Sequence, residues 1–177
     1  MKNDSLLEKS IRHIPDFPKP GIIFYDVTTL IQNKSAFKKS VDLLVKKYKG
    51  KKIDKVVGVE ARGFIFGAAV AHKIGAGFIP VRKKGKLPYK TISTTYELEY
   101  GTDTLEIHQD AITRGEKVLI IDDLLATGGT IKAVADLVKQ LQGKIMGIGF
   151  VIELVDLHGR DKLKEYPLHS LVKLHGE

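Results

Sequence analysis

Residues 118–130 read VLIIDDLLATGGT, and this pattern predicts a strand, a loop and a helix in that order. Four apolar residues run into two adjacent acids, Asp122 and Asp123, and a small, hydroxyl-rich loop follows them. A continuous apolar run is typical of a strand buried on both faces of a parallel sheet. Apolar residues then recur at helical spacing over 129–142. The stretch therefore indicates an α/β fold, in which ligands bind at the carboxyl ends of the strands.

Strands and helices alternate in the same way along most of the chain. Strands are predicted at 55–60, 77–82, 117–122, 145–154 and 169–174, and helices at 63–74 and 129–142. This alternation predicts one α/β domain over 1–177, with a central, mostly parallel sheet flanked by helices on both faces.

The first 48 residues precede this alternation. We predict a helix at 4–13 capped by Asp4 or Ser5, an extended or loop segment at 22–30, and a helix at 35–48 capped by Ser35. Three prolines within 15–21 exclude a helix there.

Residues 91–109 depart from the alternation, because their side chains have a period of two. The pattern predicts two antiparallel strands joined near Gly101, with Tyr96, Leu98 and Tyr100 on one face and Glu97 and Glu99 on the other. A hairpin inserted between sheet strands commonly serves as a flap over a site. We therefore expect a flexible flap over 82–109.

Composition limits the chemistry of the chain. The 177 residues suit one domain, and the absence of cysteine excludes disulfides, thiolate metal sites and cysteine nucleophiles. The six histidines lack the spacing of metal ligands, so we expect no metal bound directly by the protein. There is no apolar run of membrane-spanning length and no secretory h-region, so the expected location is the cytoplasm, without a membrane partner.

The formal net charge of +8 has two interpretations. One is a lysine-rich, solvated surface, and the other is an anionic partner. Lysines cluster at 46–52 and 81–86, but base-stacking aromatics do not alternate with them and no nucleic-acid-binding motif follows. If the charge serves a partner, small phosphorylated molecules are favoured over a polynucleotide.

The loop after the two acids has the features of a phosphate site. Its residues are Ala126, Thr127, Gly128, Gly129 and Thr130. Glycines allow close approach of backbone N–H groups, the start of the helix favours negative charge, and two threonine hydroxyls add donors. Asp122 and Asp123 would repel a phosphate, so they should face hydroxyl groups. The pattern predicts a ribose 5-phosphate, with the acids on the 2′ and 3′ hydroxyls and the loop on the phosphate.

Three other interpretations of this stretch were weighed. An apolar strand ending in two acids is also typical of the magnesium-binding strand of P-loop NTPases, but the chain has no G-x-x-x-x-G-K-[ST]. No G-x-G-x-x-G follows a strand, which argues against a dinucleotide fold. A capped helix after an ordinary turn needs neither two acids nor two glycines.

VLIIDDLLATGGT resembles the phosphoribosyl-pyrophosphate (PRPP) motif of the type I phosphoribosyltransferases. Four further segments are similar to those of the adenine-specific branch, and together the resemblance spans about residues 12–174. These segments are IPDFPKPGIIFYD (14–26), ARGFIFG (61–67), VRKKGKLP (81–88) and YELEYGTDTLEIH (96–108).

The resemblance implies a purine salvage enzyme that converts adenine and PRPP to AMP and pyrophosphate. It implies Mg²⁺ as the cofactor, carried by PRPP or pyrophosphate, and a homodimer without nucleic-acid partners. The alternatives are hypoxanthine-guanine or xanthine transfer on the same fold, and a non-catalytic PRPP-sensing regulator. The first alternative would need a purine pocket of the opposite hydrogen-bonding polarity, and the segments LEYG (98–101) and PDFPKPG (15–21) argue against it. The short chain opposes the second, because such regulators typically carry an additional nucleic-acid-binding domain.

The resemblance also implies roles for particular residues. Glu99 in the flap would manage the proton, although Glu97 on the same face is its rival. Adenine would lie against the 14–26 hood segment, at Ile22, Ile23, Phe24 and Tyr25. Pyrophosphate would contact Glu60, Ala61, Arg62, Gly63, Arg82, Lys83, Lys86 and Tyr100. The family usually has serine at the position of Ala61 and commonly arginine at that of Tyr25.

Overall fold

A sheet of seven strands forms the centre of the computed structural model, which describes residues 4–97 and 101–175. The strand order is β5-β6-β4-β3-β7-β8-β9. The strands are β3 (Lys55–Val59), β4 (Gly77–Lys83), β5 (Thr91–Glu97), β6 (Thr102–His108), β7 (Lys117–Leu125), β8 (Lys144–Leu154) and β9 (Leu168–Leu174). Neighbours from β4 to β9 pair in parallel, while β5 and β6 pair antiparallel. The predicted α/β fold with a mostly parallel sheet and a hairpin is confirmed.

Helices cover both faces of this sheet, and a separate two-stranded ladder precedes it. The helices are α1 (Ser5–Lys9), α2 (Thr28–Gln32), α3 (Lys34–Tyr48), α4 (Arg62–Ile74) and α5 (Gly129–Gln140). The ladder pairs β1 (Arg12–Ile14) with β2 (Phe24–Asp26) in antiparallel register.

The sheet separates two hydrophobic cores because successive residues of β7 point to opposite faces. Leu119 and Ile121 pack with Phe66 of α4 on one face. Ile120 packs with Val134 of α5 on the other. All five side chains are fully buried. This double burial explains why β7 is apolar without interruption.

The boundary between β3 and β7 is a topological switch point of the sheet. The chain continues from β3 to β4 on one side of it and from β7 to β8 on the other. β3 and β7 are parallel neighbours, and the helix that follows each of them lies on the opposite face of the sheet. Their carboxyl ends therefore lead into loops that diverge and leave a crevice. β7 extends to Leu125 because Leu124 and Leu125 pair with β8, so the predicted end at 122 is wrong.

The hairpin extends the sheet at one edge. β6 pairs with the last two residues of β4, Arg82 opposite Glu106 and Lys83 opposite Leu105. Residues 98–100 lie outside the described residues, so the predicted faces of Leu98, Glu99 and Tyr100 stay predictions.

Three details near the amino end differ from the sequence prediction. Residues 28–30, predicted as part of an extended or loop segment, begin α2 (Thr28–Gln32) instead. The helix predicted at 4–13 ends at Lys9, because Arg12–Ile14 pairs with β2 and that pairing outweighs local helical spacing. The predicted cap Asp4 is confirmed, since its Oδ1 accepts the N–H groups of Leu6 and Leu7.

The third difference is the cap of α3. Asn33 caps this helix and accepts the N–H groups of Ser35 and Ala36, each at 3.0 Å. The predicted cap Ser35 is wrong, because the helix begins at Lys34 and Ser35 already lies within its first turn. Within the described part of the chain, no helix is long and apolar enough to cross a bilayer.

Candidate active site

A cleft of about 510 Å³ opens at the carboxyl ends of β3 and β7. The loop after β3 forms one wall and the loop after β7 forms the other. Tyr96 of β5 and Asp103 and Leu105 of β6 also line the cleft, so the hairpin forms part of its boundary. This is the position at which ligands bind in open α/β sheets.

Asp122 and Asp123 lie in the floor of the cleft and are 8% and 6% exposed. The Asp123 N–H donates to Oδ1 of Asp122 at 2.9 Å. Arg62 Nε donates to Oδ2 of Asp123 at 2.6 Å and so joins the start of α4 to β7. Gly63 makes room for the first acid, because a Cβ there would lie 2.5 Å from Asp122 Oδ1.

The electrostatics of this pair reduce the negative charge in the cleft. Burial and the neighbouring Asp123 charge raise the pKa of Asp122 well above its usual value. The carboxylate of Asp123 is offset by the Arg62 guanidinium. An anion can therefore bind beside the acids, while their oxygens remain able to bond to hydroxyl groups.

Both helices that begin at the cleft lack a side-chain cap. α4 begins after Ala61 and α5 after Gly128, and no acidic residue lies in the first turn of either helix. By contrast, Asp4 and Asn33 cap α1 and α3. The first N–H groups of a helix need an acceptor and favour negative charge. The cleft thus presents two helix N-termini to one volume, which suits a ligand with two anionic groups.

Four of the five predicted phosphate-loop residues line the cleft: Ala126, Thr127, Gly128 and Thr130. Gly128 has φ +79°, a left-handed conformation that turns the chain into α5. Gly129 is the first residue of that helix. The Thr130 hydroxyl donates to the Tyr96 oxygen at 3.4 Å, so the hairpin contacts the loop.

Cations on the β3 side are held by acids. Glu60 accepts Arg82 Nη2 at 2.8 Å and the Lys83 N–H at 3.1 Å, and hydrogen bonding from Arg82 lowers the pKa of Glu60. Arg82 Nη1 also donates to the Lys86 carbonyl at 2.9 Å. Lys83 forms an ion pair with Asp103 of β6 at 3.1 Å.

Of the four predicted cations, Arg62 and Lys83 line the cleft, and Arg82 and Lys86 do not. Lys83, Arg62, Glu60 and Ala61 line it, and the Glu60–Ala61 peptide bond is cis. Arg82 lies behind Glu60, and Lys86 is exposed on the adjoining turn.

None of the four predicted adenine residues lines the cleft itself, and their side chains have different orientations. Phe24 lies against Arg62, whose guanidinium carbon is 5.6 Å from the ring centre. Ile22 is 45% exposed, and Ile23 packs partly on the core. Tyr25 points the other way: it is 5% exposed, and its hydroxyl donates to the His175 carbonyl. The Tyr25 side chain is therefore turned into the core, because alternate residues of a strand face opposite sides.

Two predicted residues, Glu99 and Tyr100, lie outside the described residues. Sequence reasoning also missed Asp103 and Gly159. Asp103 pairs with Lys83 across the hairpin, and Gly159 packs on the phosphate loop. No local pattern marks either residue, because both contacts join distant parts of the chain.

The phosphoribosyl transferase domain family matches residues 26–172. This span contains the whole seven-stranded sheet apart from the end of β9, and both loops of the cleft. The match defines the class of the protein as a phosphoribosyltransferase.

Comparison with individual proteins narrows this class. The adenine phosphoribosyltransferase of Clostridium acetobutylicum is 62% identical, over 94% of this chain and 97% of the relative. A crystal structure of adenine phosphoribosyltransferase from Thermoanaerobacter pseudethanolicus has a TM-score of 0.92 and 53% identity, covering 96% of this chain and 98% of that one. The Saccharomyces cerevisiae enzyme, crystallised with D-2,5-dideoxy-2,5-imino-altritol 1,6-bisphosphate and adenine, has a TM-score of 0.89 and 42% identity, covering 94% and 97%. The chain therefore belongs to the adenine phosphoribosyltransferase family.

Proposed function

We propose that this chain transfers the phosphoribosyl group of PRPP to N9 of adenine, which gives AMP and pyrophosphate in purine salvage. One observation carries the proposal: two uncapped helix N-termini face one cleft with Asp122 and Asp123 between them. PRPP carries a pyrophosphate on C1 and a phosphate on C5 of its ribose, and the ribose 2- and 3-hydroxyls lie between them. Two anion-favouring helix N-termini with two acids between them match this order of anionic groups and hydroxyls. Family membership supports adenine as the base.

Asp122 and Asp123 are proposed to bind the ribose hydroxyls, and residues 126–130 the 5-phosphate. The reaction forms a bond from N9 to the anomeric carbon and breaks the bond from that carbon to the pyrophosphate oxygen. Negative charge grows on the leaving group, so Arg62, Lys83 and the N-terminus of α4 stabilise the transition state there. Arg82 supports this wall through Glu60.

The N9 proton of adenine has to leave during the reaction, and we propose Glu99 as the group that handles it. Glu97, two residues earlier in the hairpin, remains the rival. The backbone C=O and N–H of Ile23 match the N6–H₂ and N1 edge of adenine. Hypoxanthine and guanine present the reverse polarity there and would leave these groups unpaired.

Mg²⁺ is the proposed cofactor, and it would neutralise charge on the pyrophosphate. Within the described residues, no group of three or more His, Cys, Asp or Glu is arranged to hold a metal. Mg²⁺ often binds through substrate phosphates with one or two carboxylates. The donor set of this cleft fits an ion held chiefly by the oxygens of PRPP.

A spectrophotometric assay with PRPP, Mg²⁺ and each of adenine, hypoxanthine, guanine and xanthine tests the proposal. We expect turnover with adenine only, and loss of that turnover when EDTA removes Mg²⁺. Comparable kcat/KM with hypoxanthine, guanine or xanthine would assign the chain to a sibling activity. PRPP binding without turnover of any base would indicate a regulator, and full activity in EDTA would remove Mg²⁺ from the mechanism.

A further inference from the structure

A short 3₁₀ helix, Gly159–Leu163, packs against the phosphate loop, and none of its residues lines the cleft. We call this segment the Gly159 turn. A Cβ on Gly159 would lie 2.0 Å from the Ala126 carbonyl oxygen and 2.9 Å from the Gly128 nitrogen. A Cβ on Gly128 would lie 2.4 Å from the Gly159 carbonyl oxygen. The two backbones are therefore in direct contact, and the position of the turn fixes the position of the loop.

An ion pair attaches the Gly159 turn to the sheet. Arg160 Nε donates to Glu153 Oε1 at 2.7 Å, and Arg160 Nη2 donates to Oε2 at 2.6 Å. Arg160 Nη2 also lies 3.5 Å from the Ser170 hydroxyl of β9. Two parallel bonds fix the orientation of the guanidinium as well as its distance. The turn is thus attached to β8, the neighbour of β7 in the sheet, and also contacts β9 on the far side of β8.

Glu153 is an unusual residue at this position in the sheet. It is 4% exposed in β8 and pairs with Leu125, the residue immediately before the loop. Burial favours its neutral form, but hydrogen bonds from Arg160 and Ser170 hold its pKa below the usual value. A buried carboxylate that stays ionised requires its partner, so the pair holds one geometry.

We propose that the Glu153–Arg160 pair is a positioning device for the 5-phosphate site. It holds the Gly159 turn against residues 126–128, and the turn keeps the backbone N–H groups at the start of α5 aimed into the cleft. Neither residue touches the ligand in this account. The inference rests on the function proposed above for the loop at 126–130.

Binding of separate parts of the substrate distinguishes positioning from general stability. Ribose 5-phosphate carries the diol and the 5-phosphate, whereas pyrophosphate reports on the wall formed by Arg62 and Lys83. If the pair positions the loop, its loss weakens ribose 5-phosphate and leaves pyrophosphate nearly unchanged. A merely structural role would reduce both affinities together, or neither.

The experiment measures both ligands, with Mg²⁺, by isothermal titration calorimetry on Arg160→Ala, Glu153→Gln and Arg160→Lys. The matched control is Lys139→Ala, which breaks an exposed 2.7 Å pair to Glu165, beyond the end of the turn. Ribose 5-phosphate affinity should fall about tenfold or more in Arg160→Ala and Glu153→Gln, because small displacements of a positioned group are costly. Arg160→Lys should be intermediate, since an ammonium cannot form both parallel bonds. The control should match wild type for both ligands.

Ribose 5-phosphate affinity equal to wild type in folded Arg160→Ala and Glu153→Gln would overturn the inference, as would parallel loss of both ligands. If Arg160→Ala does not fold, Glu153→Gln and Arg160→Lys give the same comparison. Failure of the folded wild-type protein to bind ribose 5-phosphate would instead remove the proposed function of the loop, and the inference with it.

Discussion

Asp122 and Asp123 are adjacent buried residues near the end of β7. Two ionised carboxylates there would repel each other and lose hydration. Arg62 offsets the charge of Asp123. The Asp123 N–H and the space left by Gly63 accommodate Asp122. These contacts reduce the unfavourable free energy of burying the two acids but do not remove it.

Asp122→Asn is expected to stabilise the free protein at neutral pH by about 1 kcal/mol. The folded protein raises the pKa of Asp122, so this group stabilises the fold only while protonated, and its ionisation becomes a cost as the pH rises through that pKa. Asparagine does not ionise and keeps the oxygen that accepts the Asp123 N–H. Urea unfolding from about pH 4 to pH 8 should show the advantage shrinking toward the acid end. An advantage independent of pH would contradict this explanation.

Arg62→Ala should lower kcat about 100-fold, as expected when one stabilising donor is lost at a leaving group. The variant also leaves the Asp123 carboxylate without its 2.6 Å partner. Steady-state kinetics with adenine and PRPP measure the effect. Lys84→Ala, an exposed cation of the neighbouring turn, is the control and should keep the wild-type rate. If Arg62→Ala and Lys84→Ala behave alike, Arg62 has no part in the leaving-group step.

Glu99→Gln should lower kcat by at least about 100-fold while PRPP affinity changes little, because proton transfer contributes to the transition state and not to ground-state binding. Glu97→Gln is the matched variant from the same face of the predicted hairpin. Single-turnover rates and PRPP titrations separate the two effects. A larger loss in Glu97→Gln than in Glu99→Gln would transfer the role to Glu97.

The strands and helices differ in how far local sequence determines them. The strands from β3 to β9 that are buried on both faces appear as continuous apolar runs, and their places are confirmed. The three-residue strands β1 and β2 exist only through pairing with each other, and no local pattern marks them. The residues of the candidate site also differ in how far local sequence predicts them. Asp122, Asp123 and the loop after them occupy one short stretch, whereas the bonds from Glu60 to Arg82 and from Glu153 to Arg160 join separate segments.

The cap of α3 provides a test at the level of one helix. Asn33→Ala should lower the free energy of unfolding by about 1 kcal/mol, because two N–H groups lose their acceptor. Ser35→Ala, at the position that the sequence favoured, should change it by less than about 0.5 kcal/mol. Chemical denaturation of both variants measures the difference. A Ser35→Ala variant as unstable as Asn33→Ala would return the cap to Ser35.

The topology of the sheet places the two proposed anion-binding walls, because the strands that follow β3 and β7 lie on opposite sides of the boundary between them. One helix then lies on each face, and both begin at the same edge of the sheet. The two cores hold these helices firmly, since Phe66 of α4 and Val134 of α5 are fully buried. Rigid helices give fixed N-termini, so the spacing between the two proposed phosphate-binding walls follows from the topology and not from either loop alone.

The assembly is a further property of the whole molecule. The resemblance in sequence implies a homodimer, and we predict that the protein in solution has about twice the 19.6 kDa mass of one chain. Light scattering coupled to size-exclusion chromatography measures the mass. A concentration-independent mass of a single chain would contradict the prediction.

A crystal structure of the protein with AMP examines the shared role of the two acids and the loop in one measurement. We predict phosphate oxygens within about 3.2 Å of the N–H groups at the start of α5, and the ribose 2′ and 3′ hydroxyls at similar distances from Asp122 and Asp123. AMP bound with its phosphate away from residues 126–130 and its ribose far from both acids would contradict the account.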